Sequence, residues 1–142
     1  MKSPLIAVMH PTHALASRDS LSIKDLSGFP MINFSPQANP ITSDFNKQIF
    51  KKAGAQLNIV REIPNIETAA FCASINEGIF IMPEYLRSSI GSLRTISLSD
   101  SFAYVTLNLI WKKKNPNISI PVFVDSFSTY IQNRNPDLAP DD

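Results

Sequence analysis

His10 and His13 flank Pro11-Thr12, a spacing that could bring two imidazoles to one metal ion. Zinc needs further ligands, and no cysteine or acidic cluster stands beside the pair, so both read as loop histidines. The one cysteine, Cys72, falls among small residues in the middle of a predicted helix. A nucleophilic thiol needs a neighbouring base and a turn or helix start that favours its thiolate. No histidine follows His13, and Cys72 reads as a buried structural thiol. Glu62, Glu67, Glu77 and Glu84 offer carboxylates for acid–base work. Glu67 and Glu77, however, belong at opposite ends of one helix, and Glu67 suits the start of that helix by charge alone. The four glycines are not spaced to cradle a phosphate. The expectation is therefore no catalytic residue, no metal, no cofactor and no enzyme.

What remains is a binding pattern. Two helix starts, Pro40 to Asp44 and Pro64 to Thr68, each follow the C-terminal end of a predicted strand. That edge of an open α/β sheet is where ligands sit, and first-turn amides there attract a carboxylate. Thr42, Ser43 and Thr68 add hydroxyls. The same residues have another use, because Thr42, Ser43 and Asn65 can cap their own helices. Spacing alone leaves both uses open.

The elements that would carry these residues are legible from periodicity. Leu5 to Met9 is a continuous apolar run stopped by His10-Pro11, as in a strand covered on both faces. Residues 11 to 30 read as a loop with a helical turn near Ile23 to Leu26. Met31 to Phe34 is a strand, and Ser35 to Pro40 cannot continue a ladder. The next helix has Thr42 or Ser43 as its cap, Asp44 in the first turn, and Phe45, Ile49, Phe50 and Ala53 on one face. Lys51 and Lys52 close it, and Gly54 supplies the left-handed stop. Leu57 to Ile63 is a strand. Asn65 caps a helix whose face is small: Ile66, Ala69, Ala70, Ala73 and Ser74. Ile79 to Met82 is a buried strand ended by Pro83, and Glu84 to Ser88 a short helix. Strands at Leu93 to Leu98 and Ala103 to Trp111 follow. Ser119 caps a last helix with Ile120, Phe123, Val124, Phe127, Tyr130 and Ile131 on one stripe. The alternation predicts an α/β sandwich with crossover helices.

Composition agrees. The 142 residues make one domain, with 44% hydrophobic and 18% charged residues and a net charge of +1, which describes a globular chain. A surface that grips nucleic acid is normally basic on one face. The only compact basic cluster is Lys112-Lys113-Lys114, which reads as a solvated loop. One cysteine permits no disulfide framework and suits a reducing compartment. The apolar run after Met1 is too short for a signal sequence or a membrane span, so a cytoplasmic location is expected and no membrane partner.

The order of motifs resembles a known family. His10-Pro11-Thr12-His13-Ala14-Leu15-Ala16, then Leu21-Ser22-Ile23-Lys24-Asp25-Leu26 and Pro30-Met31-Ile32, resemble the middle of LysR-type transcriptional regulator sensing domains. There a strand leads to a His-Pro-Leu turn and a Leu-x-x-Leu-x-x-x-Pro segment. Glu67-Thr68-Ala69 onward to Asn76-Glu77-Gly78-Ile79-Phe80-Ile81-Met82-Pro83 is similar to that family's helix, glycine turn and strand end. Leu107 to Lys113 and the helix through Phe123 and Phe127 are similar to its last strand and helix. The spacing is nearest to members that sense aromatic-pathway metabolites. Two departures stand out: Asn76 where the family often has glycine, and Thr42 where sensors of aromatic acids can carry an aromatic residue.

The resemblance implies a three-layer Rossmann-like subdomain of the type II periplasmic-binding-protein fold, incomplete on its N-terminal side. It implies a partial effector-binding domain over residues 1–135, comprising the second subdomain, a returning strand and the last helix, with a disordered tail at 136–142. The implied ligand is a small metabolite bearing a carboxylate, held by Pro40, Ile41, Thr42 and Ser43 at the first helix start, Ile66 at the second and Leu107 on the returning strand. Implied partners are that effector, further copies of the regulator as a dimer or tetramer, and DNA only through a helix-turn-helix absent here. The apolar stripe of the last helix would pack on the absent first subdomain, and left uncovered it invites association. Two other functions compete: a stand-alone solute-binding protein of the same fold, which needs an export signal, and a small α/β hydrolase, which needs a convergent base and nucleophile.

Overall fold

The computed structural model describes residues 1–112 and 116–134. The chain divides into two compact units, one running Pro4–Tyr104 and the other made of Met1–Ser3 and the chain from Val105 onward. Both boundaries fall inside strands, β1 (Lys2–Met9) and β7 (Tyr104–Thr106).

In the larger unit, β1 lies between β5 (Phe80–Pro83) and β6 (Arg94–Leu98) and is antiparallel to both. The short β2 (Ser20–Leu21) runs parallel to β6. A parallel pair, β3 (Pro30–Phe34) and β4 (Asn58–Ile63), joins this sheet through a bridge between Met31 and Ile79. The bridge carries two bonds: the Ile79 amide donates to the Pro30 carbonyl at 2.9 Å, and the Ile32 amide to the Ile79 carbonyl at 2.7 Å. Gly78 permits the approach, because a Cβ there would stand 2.8 Å from the Pro30 carbonyl oxygen. The sheet is open and mixed.

Helices cover both of its faces. Leu5 to Met9 are all buried, as their unbroken apolar run requires. Ile6 and Val8 join Ile32, Ile63, Phe80 and Met82 in a core against Ala69, Cys72 and Ala73 of α2 (Ile66–Ser74). Side chains alternate along a strand, so Met31 and Asn33 turn to the opposite face, where α1 (Pro40–Ala53) packs on β3 and on the helical turn Ile23–Leu26. The buried face of α2 is Ala69, Cys72 and Ala73, with Ile66 and Ala70 packed beside them, whereas Ser74 of the expected face is exposed. The arrangement is the three-layer Rossmann-like architecture expected.

Helix ends follow the sequence with corrections. Asn65 caps α2, accepting from the Thr68 amide at 2.9 Å, and Gly54 closes α1 in the left-handed region at φ 64°. The cap of α1 is Asn39, not Thr42 or Ser43. Its carboxamide accepts from the Thr42 amide at 3.1 Å, and Pro40 takes the first helical position. A proline whose missing N–H needs no partner there, preceded by asparagine, moves the start back. Asp44 consequently lies beyond the first turn, which holds no acidic residue. The buried face of α1 is Ser43, Asn46, Ile49 and Phe50. Phe45 and Ala53 are only partly buried.

In the smaller unit, β7 is three residues long and residues 107–112 form no regular ladder. The strand expected over Ala103 to Trp111 is thus mostly irregular. The Leu107 amide donates to the Met1 carbonyl at 2.8 Å. The last helix, α3 (Ser119–Arg134), contains Ser119 rather than being capped by it, and the Asn117 side chain accepts from the Ser119 amide at 2.9 Å. Val122, Phe123, Phe127 and Tyr130 are exposed, while Ile120 and Val124 are half-buried. The tail expected at 136–142 and two lysines of the basic cluster, Lys113 and Lys114, lie outside the described residues.

Candidate functional site

The parallel pair fixes where the two helix starts emerge. Phe34, the last residue of β3, stands opposite Ile63, the last of β4. The Ser35 amide continues the ladder by donating to the Ile63 carbonyl at 2.9 Å. Because neighbouring strands point the same way, the chain leaves both at one edge, and α1 and α2 start from that edge. The adjacency expected of the Pro40 and Ile66 helix starts is therefore built into the register of β3 and β4.

The caps decide which donors are left. At α1 the Thr42 amide is held by the Asn39 side chain and the Ser43 amide by the Asn39 carbonyl at 3.0 Å. Pro40 has no N–H, so Ile41 keeps the one first-turn amide without a partner among the described residues, and the Thr42 hydroxyl stands beside it. Ile41 itself is 82% exposed. At α2 the Asn65 carboxamide takes both the amide and the hydroxyl of Thr68, at 2.9 and 2.8 Å. The Ala69 amide goes to the Asn65 carbonyl at 3.2 Å. The amides of Ile66 and Glu67 remain without a partner among the described residues. Hence Asn65 does cap its own helix, whereas Thr42 is capped by another residue and keeps its hydroxyl.

Ser43 points the other way. It is fully buried, and Asn33 of β3 donates to its hydroxyl at 3.4 Å while accepting from Asn46 at 2.8 Å. Its side chain thus belongs to the interior, under the tip of α1. Pro40 is exposed and Ile66 half-buried at the edge. Leu107 belongs to the smaller unit.

Electrostatics at the edge are modest. Neither first turn carries a cationic side chain, and Glu67 brings a negative charge to α2. An anion there would be held by helix dipoles and neutral donors, with apolar contact from Pro40, Ile41 and Ile66. Such a set suits a small guest with one anionic group and an apolar body.

The remaining chemistry-bearing residues serve local structure. His10 Nδ1 lies 2.7 Å from the Thr12 hydroxyl and accepts from the Thr12 amide at 3.1 Å. His13 Nδ1 accepts from the Leu15 amide at 3.1 Å, and its ring lies against Phe29. Burial holds the His13 pKa below the ordinary imidazole value. Cys72 is 5% exposed, and burial first, then its bond to Glu77, pushes its thiol up. Glu77 is held below the usual carboxylate range chiefly by Arg61, whose Nε donates to it at 2.7 Å. That pair ties β4 to the turn after α2. Among the described residues no group of three or more His, Cys, Asp or Glu side chains could hold a metal ion. No described helix is long and apolar enough to cross a membrane.

Sequence reasoning missed Asn39, although Asn39-Pro40 is itself a helix-start signal. It also missed Asn33 and Asn46, which sit at inward positions where periodicity looks only for apolar residues.

Comparison with known proteins agrees with this architecture. The family model described as LysR substrate binding domain matches residues 1–130. No curated protein matches the sequence. Among solved structures, the effector binding domain of a BenM variant superposes with a TM-score of 0.82 at 17% identity, covering 94% of this chain and 63% of that one. The BenM effector binding domain with its effector benzoate gives 0.78 at 17% identity, covering 94% and 62%. HinK, a LysR family transcriptional regulator from Pseudomonas aeruginosa, gives 0.69 at 19% identity, covering 88% and 44%. The chain thus spans less than two thirds of each of these proteins, and at such identities the likeness establishes the fold.

Proposed function

Since the chain belongs to the LysR substrate-binding domain family, we propose that it is the effector-sensing part of a LysR-type transcriptional regulator and that it binds a small carboxylate at the shared edge of β3 and β4. The observation that carries this reading is the pair of helix starts on that edge, each with a first-turn amide unpartnered among the described residues: Ile41 at α1, and Ile66 with Glu67 at α2. Thr42 adds a hydroxyl, and Pro40, Ile41 and Ile66 an apolar wall. Ser43 contributes from beneath, by supporting the tip. The BenM structure with benzoate supports an aryl carboxylate as the first compound to try.

In the intact regulator such a ligand would act by differential affinity. It would favour one arrangement of the sensing domain over another and so shift a population of assemblies on DNA. DNA contact itself is assigned to a part of the regulator outside this chain.

The test is a titration of the 142-residue chain with benzoate and, separately, with benzamide, followed by amide resonances. Benzoate is expected to move the Ile41, Thr42, Ile66 and Glu67 amides, and benzamide to leave them in place. Benzoate shifts confined to other segments, or equal responses to both compounds, would remove the assignment of this edge as a carboxylate site.

A further inference from the structure

Beneath the tip of α1 lies a polar cluster in an otherwise apolar layer. Asn33 is 2% exposed, Ser43 fully buried and Asn46 buried beside them. Met31, on the same face of β3 as Asn33, is an ordinary apolar core residue. From Asn33 one carboxamide reaches α1 twice. Its Nδ2 donates to the Ser43 hydroxyl at 3.4 Å, and its Oδ1 accepts from the Asn46 amide group at 2.8 Å. Ser43 and Asn46 are three residues apart and so lie on one helix face. A single strand residue therefore grips two successive turns.

Burying these groups is costly unless they are paired, and apolar side chains of the same shape in place of both partners can be nearly neutral or stabilising. What the cluster adds is direction. Apolar contacts are non-directional and let a helix roll or slide slightly on a sheet, whereas a carboxamide bonded to two turns does not, and satisfied buried networks select one arrangement. The Asn39 cap closes the first turn on itself. It does not tie that turn to β3. Asn33 does.

Resting on the effector-site reading above, we propose that Asn33, Ser43 and Asn46 are positioning residues: they set the rotation of α1 on the sheet and thereby aim the Ile41 amide and Thr42 hydroxyl at the bound carboxylate. None of the three touches the ligand.

Three variants of the 142-residue chain test this. In Asn33→Leu/Ser43→Ala/Asn46→Leu, apolar groups replace the network. Ser43→Ala removes one bond, and Ser43→Thr keeps the hydroxyl. The triple variant is expected to melt no lower than the parent. Its Ile41, Thr42 and Ser43 amide resonances should shift, and the Thr42 and Ser43 amides should exchange about tenfold faster, with Ile49 and Phe50 unaltered. Benzoate should bind about tenfold more weakly. Ser43→Ala should show the same local change in smaller degree, and Ser43→Thr should restore the parent's behaviour. First-turn amides identical to the parent's, or protection lost evenly along α1 and β3, would overturn the proposal. If the triple variant does not fold, the Ser43→Ala and Ser43→Thr pair decides by the same amide criterion. A parent that binds no benzoate would remove the effector-site reading alone, since the amide measurements need no ligand.

Discussion

In the unit running Pro4–Tyr104, β5 buries Phe80 and Met82 against α2, with Ile6 and Val8 beside them. In the smaller unit, α3 leaves Phe123 56% and Phe127 40% exposed, their rings stacked on each other at 5.7 Å. Both segments are rich in large apolar side chains, so composition does not separate them. The difference lies in what each faces. Leu5 to Met9 of β1 and Phe80 to Met82 of β5 are all buried, whereas the stripe on α3 has the periodicity of a buried face and is largely exposed. An amphipathic pattern states that a face needs a partner; it does not state that the partner is in the same chain.

The sharpest way to break this contrast is to truncate one phenylalanine in each unit. Phe80→Ala should cost about 3–5 kcal/mol, as removal of a wholly buried aromatic ring does. Phe127→Ala should cost far less. Chemical denaturation of both variants measures the gap, and equal losses would mean that α3 is buried in solution.

Gly78→Ala comes next, and it probes how the larger unit is assembled. The added Cβ would meet the Pro30 carbonyl oxygen at 2.8 Å, and neither backbone segment can yield without opening the Met31–Ile79 bridge. A loss of about 1–3 kcal/mol is expected, with amide exchange accelerating first at Ile32 and Ile79. An unchanged midpoint would show that the two parts of the sheet are less tightly joined than their bonds imply.

That bridge also marks the limit of what could be read beforehand. The strands β1, β3, β4, β5 and β6 and all three helices were legible, because apolar runs and 3.6-residue stripes report burial directly. Pairing was not. Nothing local in Leu5 to Met9 says that β1 is antiparallel to both neighbours, since that depends on segments far along the chain. The two-residue β2 has no periodicity to read. Asn76 stands where the resembled family often has glycine, and its φ of 57° shows why both serve: the turn needs a left-handed residue, and asparagine tolerates that region better than most. At the candidate site, the position of both helix starts was legible, but the division of labour within them was not. Whether Thr42 caps or stays free depends on Asn39, and whether Ser43 faces out or in depends on Asn33 across the sheet.

A smaller effect is expected when the exposed stripe is changed without touching the core. Phe123→Ser with Phe127→Ser should leave the unfolding midpoint within about 0.5 kcal/mol of the parent's, as exposed substitutions do, while reducing self-association in sedimentation runs. A double variant that associates as strongly as the parent would show that the contrast between the units has no bearing on assembly.

The smallest effect is a pH dependence confined to the larger unit. His13 has its pKa lowered by burial, and its Nδ1 accepts the Leu15 amide at 3.1 Å, a bond that only the neutral ring can make. In the unfolded chain the ring takes up a proton near its ordinary value of 6.5; in the folded chain it does so at lower pH. Between those values the unfolded state binds more protons, so stability falls as pH falls. The contribution is fully present above 6.5 and is lost as pH drops through the folded value. His13→Asn should flatten the slope of stability against pH just below 6.5 and leave it unaltered near neutrality. His10→Asn, at the other histidine of the same loop, serves as the control. If the His10 variant flattened the slope and the His13 variant did not, the acid sensitivity would belong to the outer part of the loop and not to the ring packed on Phe29.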